Sequence, residues 1–123
     1  MRDAPKFYID GQWVDPAQPG QMLDVINPAT EEPMGRIAMG SAADVDRAAR
    51  AAHAAFASFS RTTRAERLDL LGAIAAEYQK RYPEIAAVIT EEMGAPAWLA
   101  MQAQAALGVA HFQTAIAVLK DYR

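Results

Sequence analysis

The eight residues Phe7-Tyr8-Ile9-Asp10-Gly11-Gln12-Trp13-Val14 decide how this chain begins to fold. The Asp-Gly dipeptide at its centre readily adopts positive φ angles, which a two-residue turn between antiparallel strands requires. The residues on either side are mainly aromatic or β-branched, and such side chains favour strands. The stretch therefore predicts a β-hairpin.

A second hairpin is predicted shortly after the first. Met22 to Ile26 and Met34 to Met39 have the composition of strands, and Asn27 to Pro33 forms the turn between them. Pro28 and Pro33 exclude a helix in this turn, because proline lacks an amide donor and restricts the residue before it. Residues 1–40 are thus expected to hold two hairpins.

From Ser41 onward the apolar residues recur at helical spacing. Ser41 with Asp44, and Thr63 with Glu66, match the capping box that starts many helices. The predicted apolar faces are Val45, Ala48, Ala49, Ala52, Phe56 and Phe59 on the first helix, then Leu68, Leu71, Ile74, Ala75, Tyr78 and Tyr82 on the second.

Proline and glycine divide the rest of the chain into two further helical segments. Pro83 predicts a kink or a restart of the helix. Gly94 followed by Pro96 predicts the end of the third segment, and a last helix is expected from about Pro96 towards Tyr122. The predicted apolar positions are Ile85, Val88, Ile89 and Met93 on the third segment, and Trp98, Met101, Ala105, Val109, Phe112, Ile116 and Leu119 on the last.

These elements predict an α+β fold that is mostly helical, with two N-terminal β-hairpins followed by three or four α-helices. Residues 1–40 form the hairpins and residues 41–123 the helical part of one unit. The sequence contains no internal repeat and no low-complexity linker between them.

The composition is that of a globular domain. Of the 123 residues, 52% are hydrophobic and 22% are charged, a balance that differs from that of disordered chains. The formal net charge of -3 gives no reason to expect a nucleic acid as partner. The chain contains no cysteine, which excludes disulfides, zinc–thiolate sites and a thiol nucleophile within these 123 residues.

The last helix is unusually apolar. No charged residue occurs from Met93 to Leu119, yet Gln102, His111 and other polar residues interrupt the stretch and would be costly in lipid. We therefore expect no membrane partner and a helix that protein covers. In isolation the chain is expected to self-associate through this helix, to pack against a crystal neighbour or to be partly disordered. The first residues show no apolar run behind a basic start, and a cytoplasmic location is expected.

Few residues are candidates for chemistry. His53 and His111 have no carboxylate beside them at metal-ligand spacing, and we interpret both as ordinary helix-face residues. Glu91 and Glu92 are adjacent on a helix, so their side chains point about 100° apart and do not face one substrate.

Arginines at positions 61, 64 and 67 could receive a phosphate, but Glu66 and Asp69 interleave with them and favour an ordinary exposed face. Trp98 and the apolar residues after it are typical of a core rather than of a ligand pocket. The remaining charged residues of the second helix and its junction with the third are expected to form surface pairs: Glu77, Lys80, Arg81 and Glu84.

Five segments, in this order and at these separations, resemble the N-terminal portion of the NAD(P)-dependent aldehyde dehydrogenase superfamily. The resemblance covers the chain from Phe7 to Tyr122. Two positions depart from the family pattern, with Glu31 where glycine is usual and Ala95 where lysine is usual. Segment 7–14 is similar to the family's opening hairpin, and segment 26–32 to its Asn-Pro-Ala-Thr-Gly-Glu turn. Residues 43–48 and 51–56 resemble its first helix, and residues 64–68 the start of the next. Segment 92–96 resembles its Glu-Thr-Gly-Lys-Pro turn.

The resemblance implies an enzyme that oxidises an aldehyde to a carboxylic acid and passes a hydride to NAD or NADP. In that family the nucleophilic cysteine, the water-activating glutamate, the oxyanion-binding asparagine and the cofactor-binding glycines lie downstream of the portion matched here. The chain is therefore expected to be an incomplete part of the coenzyme-binding domain. Some members hold a structural cation partly through backbone near the position of Ile26, but no convincing side-chain ligand accompanies it.

No catalytic, cofactor-binding or metal-ligating residue is thus expected in this chain, which should bind no cofactor and be inert by itself. Two alternatives stay open. One is a stand-alone helical module for dimerisation or partner binding, which the uncharged last helix favours. The other is a small nucleotide-binding regulator, which depends on the arginines at 61, 64 and 67 alone.

Overall fold

A computed structural model of the chain describes residues 2–18 and 20–122. Its contacts divide the chain into two compact units, Met1–Arg61 and Thr62–Arg123. The first unit contains the strands and the first helix, α1 (Ala42–Phe59), and the second contains the later helices. The sequence-based division after residue 40 stays a prediction, whereas the contacts group α1 with the strands.

The first hairpin is confirmed. Strand β2 (Phe7–Ile9) pairs antiparallel with β3 (Gln12–Val14), and the turn residues Asp10 and Gly11 have φ angles of 53° and 75°. Tyr8 and Trp13 are opposite each other, with ring centroids 5.2 Å apart. Such aromatic cross-strand pairs stabilise a hairpin, so turn and flanking residues act together.

The second hairpin is also confirmed, and a strand that the sequence did not predict joins it. Strand β4 (Met22–Asn27) pairs antiparallel with β5 (Glu32–Ala38), with a bulge between Val25 and Ile26. Strand β1 (Arg2–Ala4) pairs parallel with β5, which gives the order β1-β5-β4. Three residues are too few to show a periodic pattern, and β1 is fixed by long-range pairing.

Glu31, in the turn between β4 and β5, has left-handed backbone geometry, with a φ angle of 61°. This conformation costs a residue with a Cβ atom about 1 kcal/mol, whereas glycine adopts it freely. We expect Glu31→Gly to raise the free energy of unfolding by about 0.5 kcal/mol or more in urea denaturation. Glu32→Gly is the matched control and should destabilise, because Glu32 lies in a strand; equal effects at both positions would contradict the strain argument.

Four of the predicted helix boundaries are confirmed. Helix α1 (Ala42–Phe59) and α2 (Arg64–Lys80) both start with a capping box, from Ser41 with Asp44 and from Thr63 with Glu66. Helix α3 (Tyr82–Met93) restarts with Pro83 in its first turn and ends at Gly94, whose φ angle is 66°. These boundaries follow from local backbone preferences, which a sequence displays directly.

The last helical stretch is present but is not a continuous α-helix. Helix α4 (Ala97–Leu99) leads into a π-helical turn (Ala100–Gln104), and α5 (Ala105–Asp121) follows. The predicted core positions Trp98 and Met101 are wrong, since they are 63% and 40% exposed, whereas Ala100 is fully buried. A π turn inserts an extra residue, so the buried position before Ala105 lies five residues back rather than four.

The core of the second unit is made of small residues. Ala86, Ala100 and Ala105 are buried together, and Tyr82, Ile85 and Ile89 pack against them. In the first unit, α1 packs against β2, but its predicted apolar face is largely wrong because Val45, Phe56 and Phe59 are exposed. No helix in the described part of the chain is both long enough and apolar enough to cross a membrane.

Candidate functional site

The two histidines belong to different helices. His53 is exposed on α1, and His111 is exposed on α5. Within residues 2–18 and 20–122, no group of three or more histidine, cysteine, aspartate or glutamate side chains could hold a metal ion. The predicted absence of catalytic and metal-ligating residues stays a prediction.

Two of the three arginines that could have received a phosphate have other partners in the second unit. Arg64 donates through a guanidinium nitrogen to the Tyr122 carbonyl at 2.7 Å, and Arg67 Nε donates to Thr62 Oγ1 at 2.8 Å. Arg61 belongs to the other unit. The structure therefore shows two of the three guanidinium groups engaged in holding helix ends.

The other charged candidates are arranged as surface residues. Lys80 Nζ lies 2.9 Å from Glu77 Oε2, and Arg81 Nε lies 3.0 Å from Glu84 Oε2, which confirms the predicted pairs. The Arg81–Glu84 contact raises the pKa of the Arg81 guanidinium, first through the side-chain hydrogen bond. Exposed pairs of this kind contribute little to stability, and nothing in them is arranged for proton transfer.

The carboxyl-terminal half of α5 presents an open apolar surface. It is lined by His111, Thr114, Ala115, Val118, Leu119 and Tyr122. All of these residues lie on one helix or directly after it, so the surface is a helix face rather than an enclosed pocket. It has no charged group that could orient a ligand, and Trp98 is exposed outside it.

Asp44 is the buried carboxylate of the first unit, only 5% exposed. Its oxygens accept hydrogen bonds from the Ser41 amide at 2.8 Å, the Ser41 hydroxyl at 2.7 Å and the Ala17 amide at 2.7 Å. These bonds hold the pKa of the Asp44 carboxyl below its usual range, the Ser41 amide being the largest cause. Sequence reasoning found the Ser41 partner but not the contact with Ala17, which lies 27 residues away.

The role of Asp44 predicts a pH dependence. Because its folded-state pKa lies below the unfolded value of about 3.9, its ionised form stabilises the fold fully above that value, and the stabilisation is lost as the pH falls through the folded pKa. In urea unfolding from pH 6 to pH 3, the stability difference between wild type and Asp44→Asn should shrink below about pH 4. A difference that is constant over this range would contradict the assignment.

The N-termini of α1 and α2 are not open to a phosphate. The Glu66 carboxylate accepts from the Thr63 amide at 2.7 Å, which lowers the Glu66 pKa, and Asp44 does the same at α1. A negative charge thus already lies at both ends where a nucleotide phosphate could otherwise bind. Among the described residues, no glycine-rich turn leads from a strand into a helix, which is the arrangement that holds the pyrophosphate of a dinucleotide. The predicted absence of a cofactor site stays a prediction.

Two tyrosine hydroxyls make hydrogen bonds that the sequence analysis did not predict. Tyr78 donates to the Ala105 carbonyl at 2.9 Å, and Tyr82 donates to the Met101 carbonyl. The sequence analysis placed both tyrosines only on the apolar face of a helix. Hydrophobic periodicity does not predict which acceptor a tyrosine hydroxyl reaches. The Tyr78 bond joins α2 to the start of α5, and the Tyr82 bond joins α3 to the π-helical turn.

Comparison with known proteins gives one consistent match. The family model described as "Aldehyde dehydrogenase family" matches residues 13–123. Among curated proteins, 3-succinoylsemialdehyde-pyridine dehydrogenase from a Pseudomonas species is 49% identical over 123 residues, with 99% of this chain and 26% of the relative covered. A putative aldehyde dehydrogenase of Staphylococcus epidermidis is 42% identical, with 100% and 26% covered.

Solved structures agree with this match. Aldehyde dehydrogenase from Bartonella henselae superposes with a TM-score of 0.97 at 41% sequence identity. The alignment covers 100% of this chain and 26% of the Bartonella chain. A mutant of aldehyde dehydrogenase C from Pseudomonas syringae, in complex with NAD+ and octanal, has a TM-score of 0.94 at 45% identity, with 98% and 24% covered. The chain spans about a quarter of the length of these relatives and matches their N-terminal portion. The chain belongs to the aldehyde dehydrogenase family.

Proposed function

We propose that these 123 residues are scaffold in an NAD(P)-dependent enzyme that oxidises an aldehyde to a carboxylic acid. The observation that carries the proposal is the match over residues 13–123, together with the superposition at a TM-score of 0.97. The Pseudomonas syringae relative binds NAD+ and octanal, which are a nicotinamide cofactor and an aldehyde. The hairpins and helices would complete the coenzyme-binding domain of the whole enzyme.

We further propose that the chain is inert without the rest of such an enzyme. A carbonyl carbon must first form a tetrahedral adduct before it can expel hydride, and a thiolate is suited to form one. A positioned donor must then stabilise the oxyanion, a contribution of roughly 3–4 kcal/mol in comparable sites. The chain contains no cysteine, and the nicotinamide must also be held against the substrate by a nucleotide-binding turn.

The inertness can be tested directly. The purified chain, incubated with NAD or NADP and octanal, should form no reduced cofactor above a blank without protein. Heat measured on titration with NAD should show no binding, which would also remove the nucleotide-binding regulator as an alternative. Aldehyde-dependent NADH formation by material free of host enzyme would overturn the proposal.

The scaffold role can be tested in a chimera. The Bartonella henselae enzyme offers a matched host, because the chain aligns over its whole length with a quarter of that enzyme at 41% identity. Residues 1–123 in place of that quarter should preserve NAD-dependent aldehyde oxidation, with the unaltered host as control. A chimera that assembles like the host but has lost the activity would contradict the scaffold role.

A second candidate is a stand-alone helical module, and the exposed apolar face of α5 is the observation that favours it. We propose that the isolated chain self-associates through this face, since large apolar side chains such as Val118 are exposed there. Sedimentation should show concentration-dependent association that Val118→Asp weakens and Gln113→Asp, at an exposed polar position of the same helix, does not. A monomer at all concentrations would contradict it.

The two candidates differ in the product found in the cell. Mass spectrometry should find these residues within a cysteine-containing chain several times longer if they are enzyme scaffold, whereas a product of 123 residues supports the module.

We also propose a cytoplasmic location, because free nicotinamide dinucleotides serve reactions inside cells. Recovery of the product in a membrane or extracellular fraction would contradict that location.

A further inference from the structure

One backbone carbonyl of the π-helical turn loses its usual donor. In an α-helix the Ala105 amide would donate to the Met101 carbonyl, four residues before it. Here the Ala105 amide donates to the Ala100 carbonyl instead. The Tyr82 hydroxyl, from the first turn of α3, donates to the Met101 carbonyl. A side-chain donor thus replaces the Ala105 amide as the hydrogen-bond partner of this carbonyl.

The packing beneath this turn favours a small residue. Ala100 is fully buried and Ala86 is 2% exposed, and the two are in one cluster with Ala105. In an uninterrupted α-helix, Met101 would take the position that Ala100 occupies. A methionine at a position filled by alanine overpacks the cluster, which is unfavourable.

The sequence nevertheless favours the uninterrupted helix. Trp98 and Met101 lie seven and four residues before Ala105, at the spacing of one continuous apolar stripe. That register would remove the exposed Met101 side chain from water and restore the amide donor to its carbonyl. Two registers of residues 97–101 therefore compete, and the structure contains the π register.

We infer that the Tyr82 hydroxyl is a latch that holds residues 97–101 in the π register. Without this donor, a larger fraction of molecules has the segment shifted by one residue, which brings Met101 to the place of Ala100 and Ala100 to the half-buried place of Leu99. The non-helical connection Gly94–Pro96 between α3 and α4 takes up the shift. The Tyr82 hydroxyl thereby determines which side chains of residues 97–101 are exposed.

Single cysteines can report the slip, because the chain contains no cysteine of its own. Ala100→Cys reports the register, and Ala86→Cys, equally buried on α3, reports general opening of the helix pair. Alkylation by iodoacetamide of a buried thiol follows the population of the state that exposes it. Adding Tyr82→Phe should raise the rate at position 100 by about fivefold, as expected for the loss of one hydrogen bond, and leave position 86 unchanged.

Tyr78→Phe is the matched control. Its hydroxyl donates to the Ala105 carbonyl at 2.9 Å, which lies in the regular helix α5 and has an amide donor in any case. It should not change the rate at position 100. If Ala100→Cys does not fold, Leu99→Cys carries the same test, because the slip moves it to the exposed place of Trp98.

Deletion of Ala103, an exposed residue of the turn, gives an independent check. It removes the inserted residue, so Ala100 stays against Ala86 in a continuous α-helix and Tyr82→Phe should no longer alter alkylation. Equal rises at positions 86 and 100 would show that the hydroxyl only holds the helices together. That result, or an unchanged rate at position 100, would overturn the latch.

Discussion

Gly108→Ala is expected to destabilise the second unit by about 1–3 kcal/mol, although alanine is the better helix former. A Cβ atom at Gly108 would lie 2.4 Å from the Tyr78 hydroxyl oxygen and 2.6 Å from its Cζ atom, far inside van der Waals contact. The ring is held by its hydrogen bond to the Ala105 carbonyl and by edge contacts with Tyr82 and Phe112. The clash therefore outweighs the gain of up to about 1 kcal/mol in helix propensity.

Gly72 provides the matched control for this prediction. It lies within helix α2, and a Cβ atom there would meet nothing within 4 Å. Gly72→Ala should therefore stabilise the chain by up to about 1 kcal/mol in urea denaturation followed by circular dichroism. In a Tyr78→Ala background the cost of Gly108→Ala should disappear; a cost that persists there, or a stabilised Gly108→Ala, would contradict the close contact.

Ala86→Leu is the second substitution with a large expected effect. Ala86 is 2% exposed and is packed against Ala100 and Ala105, so added methylene groups must displace helix α3 or the π-helical turn. Overpacking of this kind costs about 1–3 kcal/mol, which urea or thermal unfolding resolves easily.

The same substitution at the neighbouring Ala87 is the control for the effect of packing at Ala86. Ala87 is exposed on the same helix, and Ala87→Leu should change the free energy of unfolding by no more than about 0.5 kcal/mol. Similar losses at both positions would show that Ala86 is not in a tightly packed core. The comparison needs no assumption about helix propensity, since both substitutions are the same.

The prediction that the chain holds no catalytic site depends on the sequence alone. The lack of cysteine and of a glycine-rich nucleotide turn are properties of the sequence itself. What the sequence could not show is that Arg64 and Arg67 are engaged by Tyr122 and Thr62. Those partners depend on how helices pack within the second unit, and one of them lies 58 residues away along the chain.

By itself the sequence determined the family and the local structure. The turn at Asp10-Gly11, the two capping boxes, the restart at Pro83 and the end at Gly94 follow from the backbone preferences of a few adjacent residues, and the structure contains each of them. Such preferences act over less than one helical turn. They can therefore be recognised without knowledge of any neighbouring element.

Only the tertiary structure decided what faces the core and what stays exposed. The parallel pairing of β1 with β5, the exposed face of α1 and the π-helical turn before α5 all contradicted or escaped the periodic pattern. At the π turn the pattern predicted Met101 inside, but Ala100 is the residue buried in the cluster with Ala86. Packing against a particular neighbour outweighs periodicity, because close-packed interiors tolerate a change of register less than they tolerate an exposed apolar side chain.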